Sequence, residues 1–248
     1  MRERSPASKC WLLWLVPACA LACCSHESAS PPAVQAAEER GAGLAGTDFQ
    51  DMQVGEPPRG FASAVSGSAA PSTWIVQEDP GSAGARVLAQ TSTDDTDDRY
   101  PLCVREDFEA GDVTVSTRFQ TRAGEVDRAA GLVLRYRDRE NYYVVRANAL
   151  EDNVRLYKVV GGKRKQFAGE LHTVSTDEWH TLRIDASGPR FAVFFDGELL
   201  FRAEDDTFAT AGKIGLWTKA DSVTWFDDLG YGPVLPDSPT LAPSGGGR

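Results

Sequence analysis

The stretch that decides the fold is GLVLRYRDRENYYVVRAN, which runs from Gly131 to Asn148. In both of its halves, residues that suit a buried face recur at every second position. The recurring positions are Leu132, Leu134, Tyr136, Tyr143, Val145 and Ala147. The polar cluster from Asp138 to Asn141 separates the halves and is typical of a turn. A period of two indicates half-buried strands, so the segment predicts an antiparallel β-hairpin.

The same alternation extends outward in both directions along the chain. Further predicted strands cover residues 113–118, 154–159, 181–186, 190–195, 199–203, 213–218 and 223–231. Asp196-Gly197 and Gly161-Gly162 each separate two such runs and predict two-residue hairpin turns. The only helical feature predicted is a single turn from Asp205 to Phe208. About a dozen strands without a long helix favour two packed antiparallel sheets.

Several segments resemble the concanavalin A-like superfamily, which includes the laminin-G-like domains. Gly131–Asn148 resembles the central hairpin of these domains, and EWHTLR at 178–183 resembles a following strand. GKIGLW at 212–217 and the run 222–229 resemble the closing strands. The similarity is closest to the bacterial keto-disaccharide hydrolase-like jelly rolls. It implies an all-β, two-sheet antiparallel jelly-roll sandwich, but this superfamily contains lectins, glucanases, lyases and structural modules, so it does not fix an activity.

The N-terminus is typical of an exported protein. Arg2, Arg4 and Lys9 precede an apolar run from Trp11 to Ala22, which predicts a signal peptide over residues 1–24. That run is too short to span a bilayer, and no later segment reaches the ~20 apolar residues that a spanning helix needs.

The end of this leader resembles a bacterial lipobox, which implies lipidation of Cys23 or Cys24. Cys19 offers a third register, and an ordinary cleaved signal peptide is the alternative. Several acyl chains would give a stable membrane anchor. Neither Cys24 nor Ser25 is the aspartate that resembles an inner-membrane retention signal, so we expect a lipid-anchored protein of the cell envelope at the outer membrane.

The flanks of the predicted sandwich differ from it in composition. Residues 25–46 and 232–248 are rich in Ser, Pro, Ala and Gly, which predicts a disordered linker and a disordered tail around a domain at 47–231.

Cys103 is the one cysteine within this domain, and we expect a buried thiol. The formal net charge of −10 argues against nucleic acid as a partner.

A candidate ligand-binding face follows from the polar positions of the central and closing strands. Aromatic rings stack on sugar rings, and Arg, Asn and Lys side chains bind hydroxyl groups, so these residue types favour a saccharide. The alternative is a solvated face with the tryptophans, Trp179 above all, in the core. The predicted binding residues are Arg135, Arg146, Asn148, Arg155, Tyr157, Trp217 and Lys219.

Signals for catalysis are weak. The laminarin-type glucanases of the superfamily carry Glu-x-Asp-x-x-Glu, and the nearest string, Glu125 to Arg128, lacks the last Glu and is predicted to be a loop. His172 and His180 are too few for a metal-dependent lyase site, and His180 is predicted at a strand surface. The sequence therefore predicts no catalytic residue.

Calcium is a separate expectation. Related sandwiches hold Ca²⁺ where the first segment meets the last strand, and Asp48 and Asp227 lie at these two places. Caps and turns are the alternative role for both aspartates. The acidic run from Asp94 to Asp98 and the basic run from Lys163 to Lys165 are interpreted as solvated loops.

Three functional hypotheses remain open on the sequence. The leading one is a lipid-anchored, non-catalytic module of the cell envelope that binds a carbohydrate or glycan. The second is a glycoside or keto-glycoside hydrolase or lyase, and the third is a structural protein-interaction module.

Overall fold

A computed structural model describes residues 43–68, 70–81 and 85–236. The predicted signal peptide, with Cys23 and Cys24, lies outside these residues, as do nearly all of the predicted linker and most of the predicted tail. Among the described residues, no helix is long and apolar enough to cross a membrane.

Regular structure in the described part of the chain consists of fifteen β-strands. They are β1 (Ala45–Thr47), β2 (Phe61–Gly67), β3 (Trp74–Glu78), β4 (Arg86–Gln90), β5 (Arg99–Ala110), β6 (Val113–Ala123), β7 (Ala129–Asp138), β8 (Asn141–Asn148), β9 (Asn153–Val160), β10 (Lys163–Leu171), β11 (His180–Ser187), β12 (Arg190–Phe195), β13 (Glu198–Glu204), β14 (Gly212–Trp217) and β15 (Val223–Gly232).

The strands form two antiparallel sheets. The eight-stranded sheet has the order β13-β12-β11-β6-β15-β4-β3, with β1 paired to β15. The seven-stranded sheet has the order β10-β9-β8-β7-β14-β5-β2. The predicted all-β, two-sheet antiparallel sandwich is therefore confirmed, and the two-residue turn at Asp196-Gly197 joins β12 to β13 as expected.

The core lies between the sheets because each strand turns every second side chain inward. Leu134, Val145 and Leu156 contribute from the seven-stranded sheet and are fully buried. Ile184 and Phe226 meet them from the other sheet. Cys103 is a buried free thiol, as predicted, and burial raises its pKa.

Three local predictions are wrong. The segment after Asp205 forms no helical turn, because the Asp205 carboxylate accepts a 2.6 Å hydrogen bond from the Tyr143 hydroxyl and holds the chain in a bend. Trp179 is half-buried at the surface instead of in the core. His180 faces the interior, where its Nδ1 lies 2.8 Å from the Asp196 carboxylate.

Candidate functional site

Six of the seven predicted binding residues lie together on the outer face of the seven-stranded sheet, the face that points away from the core. The antiparallel register explains this, because Arg146 of β8 pairs with Arg155 of β9 and Asn148 pairs with Asn153. Across the other edge of β8, Arg146 pairs with Gly131, which in turn pairs with Trp217. Tyr157 lies one alternation further along β9, and Lys219 lies two residues after Trp217.

Arg135 does not belong to this group. It lies in an irregular stretch of β7, between Leu134 and Asp138, with a φ of 47°. Its guanidinium is buried and donates to the carbonyl oxygens of Gly111, Phe208 and Gly188 at 2.9, 2.8 and 2.7 Å. The side chain therefore joins three connecting segments, which is a structural role.

Aromatic rings form the floor of the outer face. The rings of Tyr100 and Trp217 are stacked, with centroids 5.7 Å apart and planes 14° apart. The Arg164 guanidinium lies 4.7 Å from the ring centroids of Tyr100 and Tyr157. The interpretation of residues 163–165 as wholly solvated is thus wrong for Arg164, because cation–π attraction holds its head over the rings.

One polar network lies at the end of β8. Arg146 donates to the Glu151 carboxylate at 2.8 Å and to the Asn153 side-chain oxygen at 2.6 Å. The hydrogen bond from Arg146 lowers the pKa of Glu151 to about 2, with Asn153 assisting and burial opposing. Glu151 is therefore a fixed anion at the rim of the face, with about half of its side chain reachable from solvent.

A second network joins Lys219, Asp127 and Asn148. The Asp127 carboxylate accepts from the Asn148 amide at 2.9 Å and lies 2.9 Å from the Lys219 ammonium. Lys219 also contacts Asp97, which is exposed as predicted for its loop. Burial raises the pKa of Asp127, although Lys219 acts in the opposite direction.

The loop before β7 fixes the position of Asp127. The Asp221 carboxylate accepts hydrogen bonds from the backbone N–H groups of Glu125, Val126 and Asp127. Gly124 has a φ of +139°, and a Cβ there would lie 1.9 Å from the Asp127 carbonyl oxygen. Only glycine fits this turn, so the loop places the carboxylate at the edge of the sheet.

Two buried guanidinium nitrogens on this outer face, Arg146 Nε and Arg164 Nη1, have no hydrogen-bond partner among the described residues. The Tyr142 hydroxyl lies among them and interacts with the Ser66 and Trp217 side chains, which act to lower its pKa. Burial raises the pKa of Tyr142 to about 12, so its hydroxyl keeps its proton at neutral pH. An unpaired buried polar atom costs about 1–3 kcal/mol, so a group of them is a feature that ligand hydroxyls or bound water can relieve.

The predicted calcium residues, Asp48 and Asp227, lie near each other. Asp48 lies close enough to Asp227 to act on its pKa, which burial and Asp228 raise to about 8. Among the described residues, no group of three or more His, Cys, Asp or Glu side chains could hold a metal ion. The calcium site stays a prediction, which titration of the chelator-treated protein with Ca²⁺ would test.

Asp127, Glu151, Asn153, Tyr100 and Arg164 complete the site and were not predicted as part of it. All five lie at or near strand ends. The strand ends that meet at one edge depend on strand order, which local alternation does not contain. The sequence contained one signal, for Asn153. It lies an even number of residues from Tyr157 in β9, so the two side chains are on the same face of the sheet.

Comparison with known families agrees with this architecture. Residues 60–230 match the model of the 3-keto-alpha-glucoside-1,2-lyase-like domain. The chain belongs to this family. The match spans every strand of the seven-stranded sheet and therefore the whole outer face, and it confirms the predicted resemblance to keto-disaccharide-related jelly rolls. No curated protein matches the chain significantly.

Solved structures show the same fold. The carbohydrate-binding module CBM66 from Bacillus subtilis superposes with a TM-score of 0.56 at 21% identity, over 69% of this chain and 94% of that one. A GH43 protein, BlXynB, from Bacillus licheniformis superposes with a TM-score of 0.51 at 13% identity, over 77% of this chain and 39% of that one. At these identities the similarity establishes the jelly-roll fold alone.

Proposed function

We propose that this protein binds a carbohydrate on the outer face of its seven-stranded sheet. The observation that carries the proposal is the set of aromatic rings on that face, Tyr100, Tyr157 and Trp217, beside the polar networks of Arg146 and Lys219. A saccharide matches both features of this face. The C–H groups of its ring can stack on the aromatic rings, and its hydroxyls can form hydrogen bonds with the polar side chains. The family match and the CBM66 fold support the same class of ligand.

The proposed contacts follow from the two polar networks. Glu151 and Arg155 form the partly exposed rim, while Arg146 and Lys219 lie beneath it with their charges already paired. Such paired groups are held in one orientation, which reduces the entropy lost on binding. Arg164 covers the rings at 4.7 Å, so a sugar that stacks on Tyr157 must displace or contact this guanidinium.

We further propose that lipid on Cys23 or Cys24 anchors the module in the cell envelope, at the outer membrane. The support is the sequence pattern of the leader. Metabolic labelling with a fatty-acid analogue should mark the wild-type protein. Label retained after both cysteines are replaced by serine would contradict the proposal.

A glycan array probed with the purified protein tests the carbohydrate proposal. The wild type should bind a defined set of glycans, and Tyr157→Ala and Arg146→Ala should lose the same members of that set. Tyr157→Phe keeps the ring and should retain binding. Phe194→Ala serves as a control on the other sheet and should leave these glycans unaffected.

Circular dichroism of each variant separates lost binding from lost folding. A folded Tyr157→Ala protein that still binds every glycan bound by the wild type would place the ligand elsewhere and refute the proposal. Absence of any bound glycan would favour the protein-interaction module instead.

A second candidate function is acid–base chemistry on a keto-glycoside. The observation that favours it is the Asp127 carboxyl, which is buried, has a raised pKa and contacts Lys219 within the segment that matches the family. A buried carboxyl with a raised pKa beside a charged partner is a common feature of acid–base groups in active sites.

Incubation with 3-keto-glucosides, followed by chromatography of the products, tests this second function. If catalysis occurs, Asp127→Asn should reduce turnover by about 100-fold or more, because a positioned acid–base group contributes that much. The exposed Asp51→Asn serves as the matched control. If the wild type releases no product, the second function fails while the binding proposal stands.

A further inference from the structure

A cavity of about 650 Å³ lies on the outer face of the other, eight-stranded sheet. Its floor is formed by β6, β15 and β4, which are neighbours in that sheet. Asp79 to Gly81, directly after β3, and Trp179, just before β11, form its walls. Its volume lies within the range typical of small-molecule sites.

Two tryptophans in this cavity are each held by an arginine. The Arg118 guanidinium lies 4.8 Å from the Trp179 ring centroid, and that of Arg122 lies 4.3 Å from the ring centroid of Trp225. Both indoles remain partly exposed. Cation–π contacts therefore fix two aromatic surfaces in place before any ligand arrives.

Gln120 lies between the two arginines on β6 and organises the floor. Its side-chain amide donates to the Asp177 carbonyl oxygen at 2.6 Å, and its oxygen accepts from Arg122 at 3.2 Å. In the sheet register, Gln120 pairs with Trp225. Planar polar groups thus lie directly beside an indole, which is an arrangement that suits hydroxyl-bearing rings.

The charges of the cavity favour a neutral ligand. Arg118 lies 3.4 Å from the Asp228 carboxylate, and Arg122 lies 3.1 Å from that of Asp177. Asp79 also lines the cavity, as does Asp227, whose raised pKa of about 8 keeps it largely neutral at pH 7. Since carboxylates balance the two guanidinium groups, an anionic ligand would gain no net attraction there.

We propose that the cavity between Trp179 and Trp225 is a second binding site, which takes a neutral saccharide. One sugar ring stacks on the indole surfaces, and Arg118, Gln120 and Arg122 bind its hydroxyls. This site lies on the opposite sheet from the face that carries the proposed function, so neither assignment depends on the other.

The test uses the Tyr157→Ala protein, in which the face of the seven-stranded sheet is disabled. Isothermal titration measures its affinity for cellohexaose, xylohexaose, maltohexaose and inulin oligosaccharides, with hexagalacturonate as the anionic comparison. At least one neutral sugar should bind. Adding Trp225→Ala should weaken that binding about tenfold, which corresponds to about 1.4 kcal/mol.

Two further variants keep the result interpretable. Trp225→Phe retains an aromatic ring and should recover most of the affinity. Phe194→Ala is the matched control, because Phe194 also lies under an arginine on this sheet, with the Arg183 guanidinium 4.4 Å from its ring centroid, but it does not line the cavity. Phe194→Ala should leave the affinity unchanged.

Trp179→Ala provides a second probe if Trp225→Ala unfolds, and it should also weaken binding. The proposal is overturned if no neutral sugar binds, if hexagalacturonate binds more tightly than every neutral sugar, or if both tryptophan variants bind like the Tyr157→Ala parent. Failure of Tyr157→Ala to lose any glycan on the array would refute the proposed function and leave this result unaffected.

Discussion

Lys219 shows how one side chain can connect a loop, a strand end and the candidate site. Its ammonium lies 2.9 Å from the Asp127 carboxylate, and both side chains are almost fully buried. A buried pair of this kind adds little compared with an apolar pair, but loss of one partner leaves an uncompensated charge. The pair therefore fixes the position of the site more than it stabilises the fold.

Lys219→Met should lower the free energy of unfolding by about 3 kcal/mol, because the buried Asp127 carboxylate then loses its counter-charge. Urea denaturation measures the change. Arg59→Met is the matched control, since Arg59 pairs with Asp51 at the surface, where both side chains are mostly exposed. That control should change stability by less than about 1 kcal/mol. Equal losses in the two variants would contradict the description of the buried pair.

We expect the stability of the protein to depend on pH through the ionisation of Asp205. Its carboxylate is nearly buried, and hydrogen bonds from Lys158, Thr207 and Tyr143 outweigh burial and lower its pKa to about 2 from 3.8. Because the folded-state pKa is depressed, the stabilisation is present above pH 3.8 and is lost as the pH falls toward 2. It amounts to about 2 kcal/mol.

The measurement compares wild type with Asp205→Asn by urea unfolding at several pH values. The wild type should be more stable by about 2 kcal/mol at pH 6, and this difference should shrink steadily below pH 4. A difference that stays constant down to pH 3 would show that the ionised carboxylate is not the stabilising form.

At the scale of the strands, the alternation of apolar and polar residues predicted where the strands lie. The odd or even position of a residue along its strand predicted which side of the sheet its side chain faces. Arg146, Asn148, Arg155 and Tyr157 share one face because a period of two is a local property of the chain. Arg135 does not lie on that face because the irregular stretch of β7 interrupts the alternation. The residues from Leu134 to Asp138 contain no sequence signal that predicts this irregularity. Alternation therefore predicts the side of the sheet that a residue faces only where the strand pairing is regular.

Gly131 allows β7 to pack closely against β8 and against the Trp217 ring of β14. A Cβ at this position would lie 2.8 Å from the Val145 carbonyl oxygen and 3.1 Å from the Trp217 ring. Gly131→Ala should therefore displace Trp217 and destabilise the protein by about 2 kcal/mol, as overpacking usually does. Urea unfolding and the near-ultraviolet dichroism of the indoles both report on it.

Gly111→Ala is the control for this prediction. A Cβ at Gly111 would meet its nearest atoms at 3.7 and 3.9 Å, which is ordinary contact. This substitution should leave stability within about 0.5 kcal/mol of the wild type. A stable Gly131→Ala protein with an unchanged indole spectrum would show that the strands have room to separate.

For the whole molecule, the sequence predicted the sandwich but not which connections meet at its edges. The site needs Asp97 and Asp127 from two loops and Lys219 from a third, and only the strand order brings these together. The cavity on the eight-stranded sheet was missed for the same reason, because Trp179 was assigned to the core. Trp179 lies just before β11, outside the region where alternation applies.

The two outer faces of the sandwich therefore differ in character. The face of the seven-stranded sheet has buried aromatic rings beside two polar networks, while the other has an open cavity with balanced charges. Binding on the seven-stranded sheet is the central claim. It requires that a saccharide reach Tyr157, Trp217 and the donors beside them.

The most direct test is a crystal structure of the protein with the glycan that binds most strongly on the array. We predict a sugar ring against Tyr157, with Arg164 displaced or in contact and at least one hydroxyl bonded to Glu151 or Arg155 at the rim. A complex in which the only bound sugar lies away from the seven-stranded sheet, with Arg164 still covering the rings, would contradict the claim.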